Sequence, residues 1–186
     1  MAENKAFIFH GTGGYPEENW FPWLKASLAK QGCPVIIPRF LTPEGQSLAT
    51  WNQAFDIYRS QLDENTLLIG HSLGGLYLLR VLESMDKPVR AAIFIGASIG
   101  IRPIKFYEGD EKFSGFQFKW GKIKASAKSF RVFHSDNDPY VSLGNGQELA
   151  KHLGVDLTLV PHAGHFNASA GYTQFPQLLE EIKSLI

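Results

Sequence analysis

Gly70-His71-Ser72-Leu73-Gly74 sets a serine between two glycines in the pattern Gly-x-Ser-x-Gly. Where such a segment joins a strand to a helix, the chain turns so sharply that the serine takes a strained backbone conformation. The flanking glycines then keep neighbouring backbone clear. The hydroxyl projects above the sheet at the positive end of the helix, which is a place for a nucleophile. Ser72 would attack a carbonyl carbon, and the Leu73 N–H would point where the oxyanion forms. A glycine-rich turn without chemistry, or a phosphate site at a helix end, has the same pattern, so the flanking elements decide.

A serine alone is a poor nucleophile; it needs a base, and the base needs an orienting acid. Both are available further along the chain. The apolar run Phe130–His134 is followed by Ser135-Asp136-Asn137-Asp138-Pro139-Tyr140-Val141. Asp138 is the favoured acid, because Pro139 stiffens the backbone beside it. Asp136 is the alternative, and it also suits a cap on the turn. The last apolar run leads into Pro161-His162-Ala163-Gly164-His165. His165 is the favoured base, with Gly164 freeing the loop to swing the imidazole back over the sheet edge, and His162 is its rival. His134 and His152 read as core or surface residues.

The second oxyanion donor is expected on His10-Gly11-Thr12-Gly13-Gly14, after the first apolar run. Glycine there lets backbone approach a reacting carbonyl closely, and the Thr12 N–H is the expected donor. His10 is expected to hold this loop by hydrogen bonds. A phosphate-binding loop is disfavoured, since both the Walker lysine and Gly-x-Gly-x-x-Gly are missing.

These loops need a scaffold that brings them to one edge. Six strand-length apolar runs recur: Ala6–His10, Pro34–Pro38, Thr66–Gly70, Ala91–Gly96, Phe130–His134 and Asp156–Val160. Several are apolar at nearly every position, as in strands of a parallel sheet covered on both faces. Helical spacing marks Trp20–Gln31, Leu48–Leu62, Leu73–Met85, Gly146–Leu153 and Phe175–Ile186, with Pro176 suited to a first turn. The alternation predicts one α/β domain over residues 1–186, a doubly wound, mainly parallel sheet of about six strands. Ala97–Ser129 has no clean helical period until about Lys119 and reads as a long connection. Lys112–Lys128, with Phe113, Phe116, Phe118 and Trp120, is expected to pack over the mouth of the site. Trp20, Phe21 and Trp23 read as core, with an acyl-pocket wall as the other option.

Composition narrows the partners. Of 186 residues, 44% are hydrophobic and 19% charged, which is ordinary globular usage. Lys plus Arg and Asp plus Glu are 18 each, so no net field steers nucleic acid or an anionic membrane surface. One cysteine, Cys33, excludes an internal disulfide framework and reads as a buried apolar residue. The opening residues run into an apolar segment too short for a secretory core or a membrane span, so the expected location is cytoplasmic. No His, Cys, Asp and Glu grouping has structural zinc spacing.

Taken together, His-Gly-Thr-Gly-Gly, Gly-His-Ser-Leu-Gly-Gly, Asp-Pro-Tyr-Val and Gly-His-Phe stand in order along the whole chain. The sequence resembles the compact serine hydrolases that include the YdeN-like bacterial proteins and the retinoblastoma-binding serine hydrolases. The resemblance implies a minimal α/β-hydrolase core without a lid domain, with Ser72 as nucleophile, Asp138 as acid and His165 as base. Asn19-Trp20 and Phe175-Pro176 also look family-like. Ser142 departs from it, standing where many relatives carry proline. The expected reaction is hydrolysis of a carboxylic ester or similar small acyl substrate through an acyl-enzyme, without metal or organic cofactor. A hydrolase-fold protein-binding module and an acyltransferase are the competing readings.

Overall fold

The computed structural model describes residues 4–186. Six strands, β1 (Lys5–Phe9), β2 (Val35–Ile36), β3 (Thr66–His71), β4 (Ala91–Ile95), β5 (Phe130–His134) and β6 (Leu157–Leu159), form one sheet in the order β2-β1-β3-β4-β5-β6. Every neighbouring pair is parallel. β3 and β4 lie at the centre, and with β1 they carry the runs that are apolar at nearly every position. Alternate side chains serve opposite faces. Phe7, Phe9, Leu68, Ala92, Phe94 and Val132 join one buried cluster, whereas Ala6, Ile8, Leu67, Ile69, Ile93 and Phe133 join the other.

Seven helices cover the two faces. α1 (Phe21–Ala29) and α7 (Pro176–Lys183) close one face through Phe21, Leu24, Leu28, Leu178 and Ile182. α2 (Leu48–Arg59), α3 (Leu73–Glu83), α4 (Tyr107–Ser114), α5 (Trp120–Ala125) and α6 (Leu143–Leu153) contribute to the other. Local signals set their ends. Ser47 and Thr50 form a reciprocal capping box on α2, α1 and α7 carry proline in the first turn, and Gly154 ends α6 in the left-handed conformation. α3 is apolar nearly all round because it is buried from Leu73 to Leu79. No separate lid domain stands over the sheet among the described residues.

The sequence reading differs from this architecture in four places. β2 and β6 are shorter than Pro34–Pro38 and Asp156–Val160, as edge strands with one neighbour each. α6 begins at Leu143, three residues before Gly146. The connection Ala97–Ser129 contains two helices, α4 and α5. α4 has a glycine inside it and buries only Asp110 and Phe113, too few positions to show a period. Lys112–Lys128 does not cover the mouth of the site. Phe113 is in the core, and Phe116, Phe118 and Trp120 pack against it. The expected helix edges are otherwise displaced by a few residues, where terminal turns fray.

Candidate active site

Ser72 follows β3 and caps the start of α3 with φ 55° and ψ −124°. That backbone conformation is costly for a residue with a Cβ, and neighbouring backbone holds it in place. The Ser72 N–H donates to Ile95 O at 2.9 Å, and the Gly75 N–H donates back to Ser72 O at 2.9 Å. Gly74 allows α3 to start this close to β1, because a Cβ there would collide with the Phe9 carbonyl. Gly11, from the loop after β1, packs directly on Ser72; a Cβ at Gly11 would lie 2.9 Å from Ser72 Cβ.

Asp138 and His165 are brought together. His165 Nδ1 lies 2.7 Å from Asp138 Oδ2, with side-chain exposures of 8% and 0%. Burial by itself would raise the Asp138 carboxyl. The His165 hydrogen bond and charge, with N–H donation from Tyr140 and Val141 to Oδ1, outweigh it and hold the carboxyl below its usual range. An ionised Asp138 makes Nδ1–H the donor and leaves His165 Nε2 without that proton. Ser72 and His165 line one cavity of about 410 Å³, together with Thr12, Glu18, Phe106, Asp110 and Tyr140. No direct hydrogen bond joins Ser72 to His165 among the described residues; such contacts often tighten only with substrate bound.

Asp136 is engaged elsewhere, and the His162 imidazole points away from the cavity wall. Three successive side chains of the turn after β5 accept three successive N–H groups of the His165 loop. Asp136 Oδ1 accepts from His162 N at 2.8 Å, Ser135 Oγ from Ala163 N at 3.0 Å, and Asn137 Oδ1 from Gly164 N at 2.8 Å. His162 itself is 85% exposed and lies outside the cavity wall. Thr12 lines the cavity. Leu73 is the first residue of α3, so its N–H belongs to the turn that lacks intrahelical acceptors, while its side chain enters the core.

Other histidines hold the structure. His10 Nε2 accepts from Phe40 N at 3.1 Å, which makes Nδ1 the donor to Gly11 O at 3.1 Å. Burial lowers its pKa. His71 Nε2 lies 2.8 Å from His165 O, so the residue beside Ser72 also pins the histidine loop. Burial and the nearby His165 push His71 down to about 3. His134 reaches Val141 O at 3.0 Å, and burial likewise lowers its pKa. His152 stacks on Trp120 with centroids 4.2 Å apart.

Several contributors were not singled out for these roles. Asn19 Oδ1 accepts from Ala168 N at 2.8 Å and Trp20 Nε1 donates to Phe166 O at 3.0 Å, so both steady the loop after His165. Trp20 and Phe21 are core residues and do not line the cavity. Asn145, wholly buried, accepts from Ile99 N at 2.9 Å and Ile101 N at 3.0 Å, fixing the segment after β4. Ser142 uses groups that proline lacks: its N–H donates to Pro103 O at 3.1 Å and its Oγ to Ile101 O at 3.0 Å. Asp110 lines the cavity from α4, inside the stretch that read as connection. No group of three or more His, Cys, Asp or Glu side chains is placed to hold a metal ion among the described residues. No helix is long and apolar enough to cross a membrane.

An all-parallel sheet of this order, with a strained serine between β3 and α3 and a buried Asp–His pair beyond β5 and β6, defines the α/β-hydrolase fold. The chain belongs to the serine hydrolase family, whose model matches residues 6–184. It is 30% identical over 180 residues to YdeN of Bacillus subtilis (strain 168), covering 97% of this chain and 95% of that one. It is 27% identical over 188 residues to serine hydrolase RBBP9 of Rattus norvegicus, covering 98% and 95%. The crystal structure of the B. subtilis ydeN gene product superposes with a TM-score of 0.91 over 98% of both chains, at 30% identity. Est1E from Butyrivibrio proteoclasticus, in its structure with ferulic acid, shares the fold at a TM-score of 0.71 and 16% identity, over 97% of this chain and 90% of that one.

Proposed function

We propose that the chain hydrolyses carboxylic esters or similar small acyl compounds through a Ser72–His165–Asp138 triad and an acyl-enzyme. The observation that carries this reading is the strained Ser72 at the end of β3, sharing one cavity with a His165 already bonded to a buried Asp138. His165 Nε2 takes the Ser72 proton as Oγ attacks the carbonyl carbon. Thr12 and Leu73 N–H groups stabilise the oxyanion, which supplies several kcal/mol in comparable sites, about 2.7–4 per donor. Asp138 holds the tautomer and balances the imidazolium. The imidazolium protonates the leaving alcohol, and a water deprotonated by the same Nε2 then releases the acid. Membership of the serine hydrolase family supports hydrolysis over acyl transfer.

A fluorophosphonate probe tests the reading. The wild-type chain is expected to be labelled and Ser72→Ala to remain folded and unlabelled, with hydrolysis of p-nitrophenyl butyrate lost in parallel. Labelling that persists in Ser72→Ala removes Ser72 from its role.

A further inference from the structure

Asp110 lies in the first turn of α4 and is 5% exposed, yet it forms part of the cavity wall that Ser72 and His165 share. Ser98 Oγ donates to one of its carboxyl oxygens at 2.7 Å. The other oxygen takes no hydrogen bond from the protein among the described residues. Burial raises this carboxyl to about 6, against the Ser98 bond and the His165 charge. One hydroxyl does not compensate a buried carboxylate, which normally has a charged partner. No lysine or arginine supplies one within 4 Å among the described residues. Lys105 lines the same cavity but is an exposed residue, with Nζ 4.5 Å from the centre of the Tyr140 ring and 5.5 Å from that of Phe106. Glu18 adds a second carboxyl to the wall, also raised by burial, against its Tyr15 backbone bond and the His165 charge.

We propose that Asp110 is a recognition site for a cationic nitrogen, and that the favoured substrate is an ester carrying an ammonium group on the part that enters the cavity. The proposal rests on the hydrolase reading above for the word ester, and on the Asp110 geometry alone for the cation. An incoming ammonium would complete the half-satisfied carboxylate. The two carboxyl groups would repel an anionic acyl chain. A purely structural Asp110, tying α4 to Ser98 and the helix dipole, would contribute stability and no such preference.

The test is an NMR titration in the Ser72→Ala background, where the esters are not consumed. The ligands are methyl 3-aminopropanoate, its uncharged isostere methyl butanoate, and methyl 3-hydroxypropanoate. At pH 7.5 the ammonium ester is expected to bind about tenfold or more tighter than butanoate, the scale of a charge-assisted hydrogen bond. The preference should shrink to within about twofold when Asp110→Asn or Asp110→Ala is added; a charge-assisted bond no longer forms. It should also fade toward pH 5, as Asp110 takes up a proton, with His165, Glu18 and Lys105 the other titrating groups that face it. Equal binding in the Ser72→Ala chain, a preference that survives both Asp110 substitutions, or tightest binding of the hydroxy ester overturns the proposal. A second measurement separates it from the hydrolase reading. Wild-type chain that hydrolyses the charged and uncharged esters with equal kcat/KM sinks the cation site and leaves the hydrolase. Preferential binding without hydrolysis or fluorophosphonate labelling leaves the cation site and sinks the hydrolase.

Discussion

Gly96→Ala isolates the part of the site that backbone alone creates. Gly96 follows β4 with φ +54°, and a Cβ there would lie 3.3 Å from Asp138 Oδ2 and 3.4 Å from His165 Nδ1. Those are the two atoms joined at 2.7 Å. The substitution therefore has two separable costs. Placing alanine in the left-handed region costs about 1–2 kcal/mol. For a chain of this size that lowers Tm by about 2–8 °C, at roughly 2–4 °C per kcal/mol. The second cost is geometric: the Asp138–His165 pair must give way by a few tenths of an ångström. A 1 Å misplacement can cost about 10²-fold in rate, so a loss of about 10-fold or more in kcat is expected on p-nitrophenyl butyrate. Gly32→Ala is the matched comparison, since Gly32 has φ +72° and nothing within 4 Å of where its Cβ would lie. It should lose stability similarly and keep its kcat. Melting curves and steady-state rates on both variants decide the matter. If Gly96→Ala destabilises like Gly32→Ala but turns over at the wild-type rate, the pair is not held as tightly as argued.

Asp138→Asn should lower kcat by about 10⁴, by removing the carboxylate that selects the His165 tautomer. Asp136→Asn keeps an acceptor for the His162 N–H, so its rate should change far less; the reverse ranking would transfer the acid role to Asp136. Acid should destabilise the chain. The folded pKa of His71 is depressed from 6.5 to about 3, so between those values the unfolded chain holds a proton that the folded chain does not. Stability is then lost as pH falls, by about 1.4 kcal/mol per pH unit for each such group. His10 and His134 act with the same sign, while the raised carboxyls of Asp110 and Glu18 oppose them. Urea midpoints at pH 7.5 and 5.5 should show the loss, and His71→Gln should flatten it; an unchanged slope would remove His71 from the account. Cys33 is buried and its thiol is pushed up to about 11, so it should resist a thiol reagent such as dithionitrobenzoate until urea unfolds the chain. Rapid modification of the native protein would contradict that burial.

The central scaffold was legible because β1, β3 and β4 are apolar at consecutive positions, which only strands covered on both faces require. The edge strands were overextended because one neighbour each stops their ladders early. Helix α4 was illegible, since YEGDEKFS buries one carboxylate and one phenylalanine and otherwise reads as surface. Asp110 was hidden with it. The turn cap suggested for Asp136 is made by Asp138, whose Oδ1 accepts from the Tyr140 and Val141 N–H groups, whereas Asp136 accepts from His162 N, distant in sequence. Side-chain-to-backbone bonds between loops have no period, and Asn19, Ser135, Asn137 and Asn145 all act that way.

The three bonds from Ser135, Asp136 and Asn137 to the loop before His165 have a mechanical consequence. β6 is a three-residue edge strand, the kind of element that opens first when a sheet breathes. If the strand ladder alone carried His165, each opening would change its distance to Asp138. Instead the two loops are riveted to each other directly, so thermal motion of the edge displaces them as one body. Their mutual spacing is insulated from fraying of that edge strand.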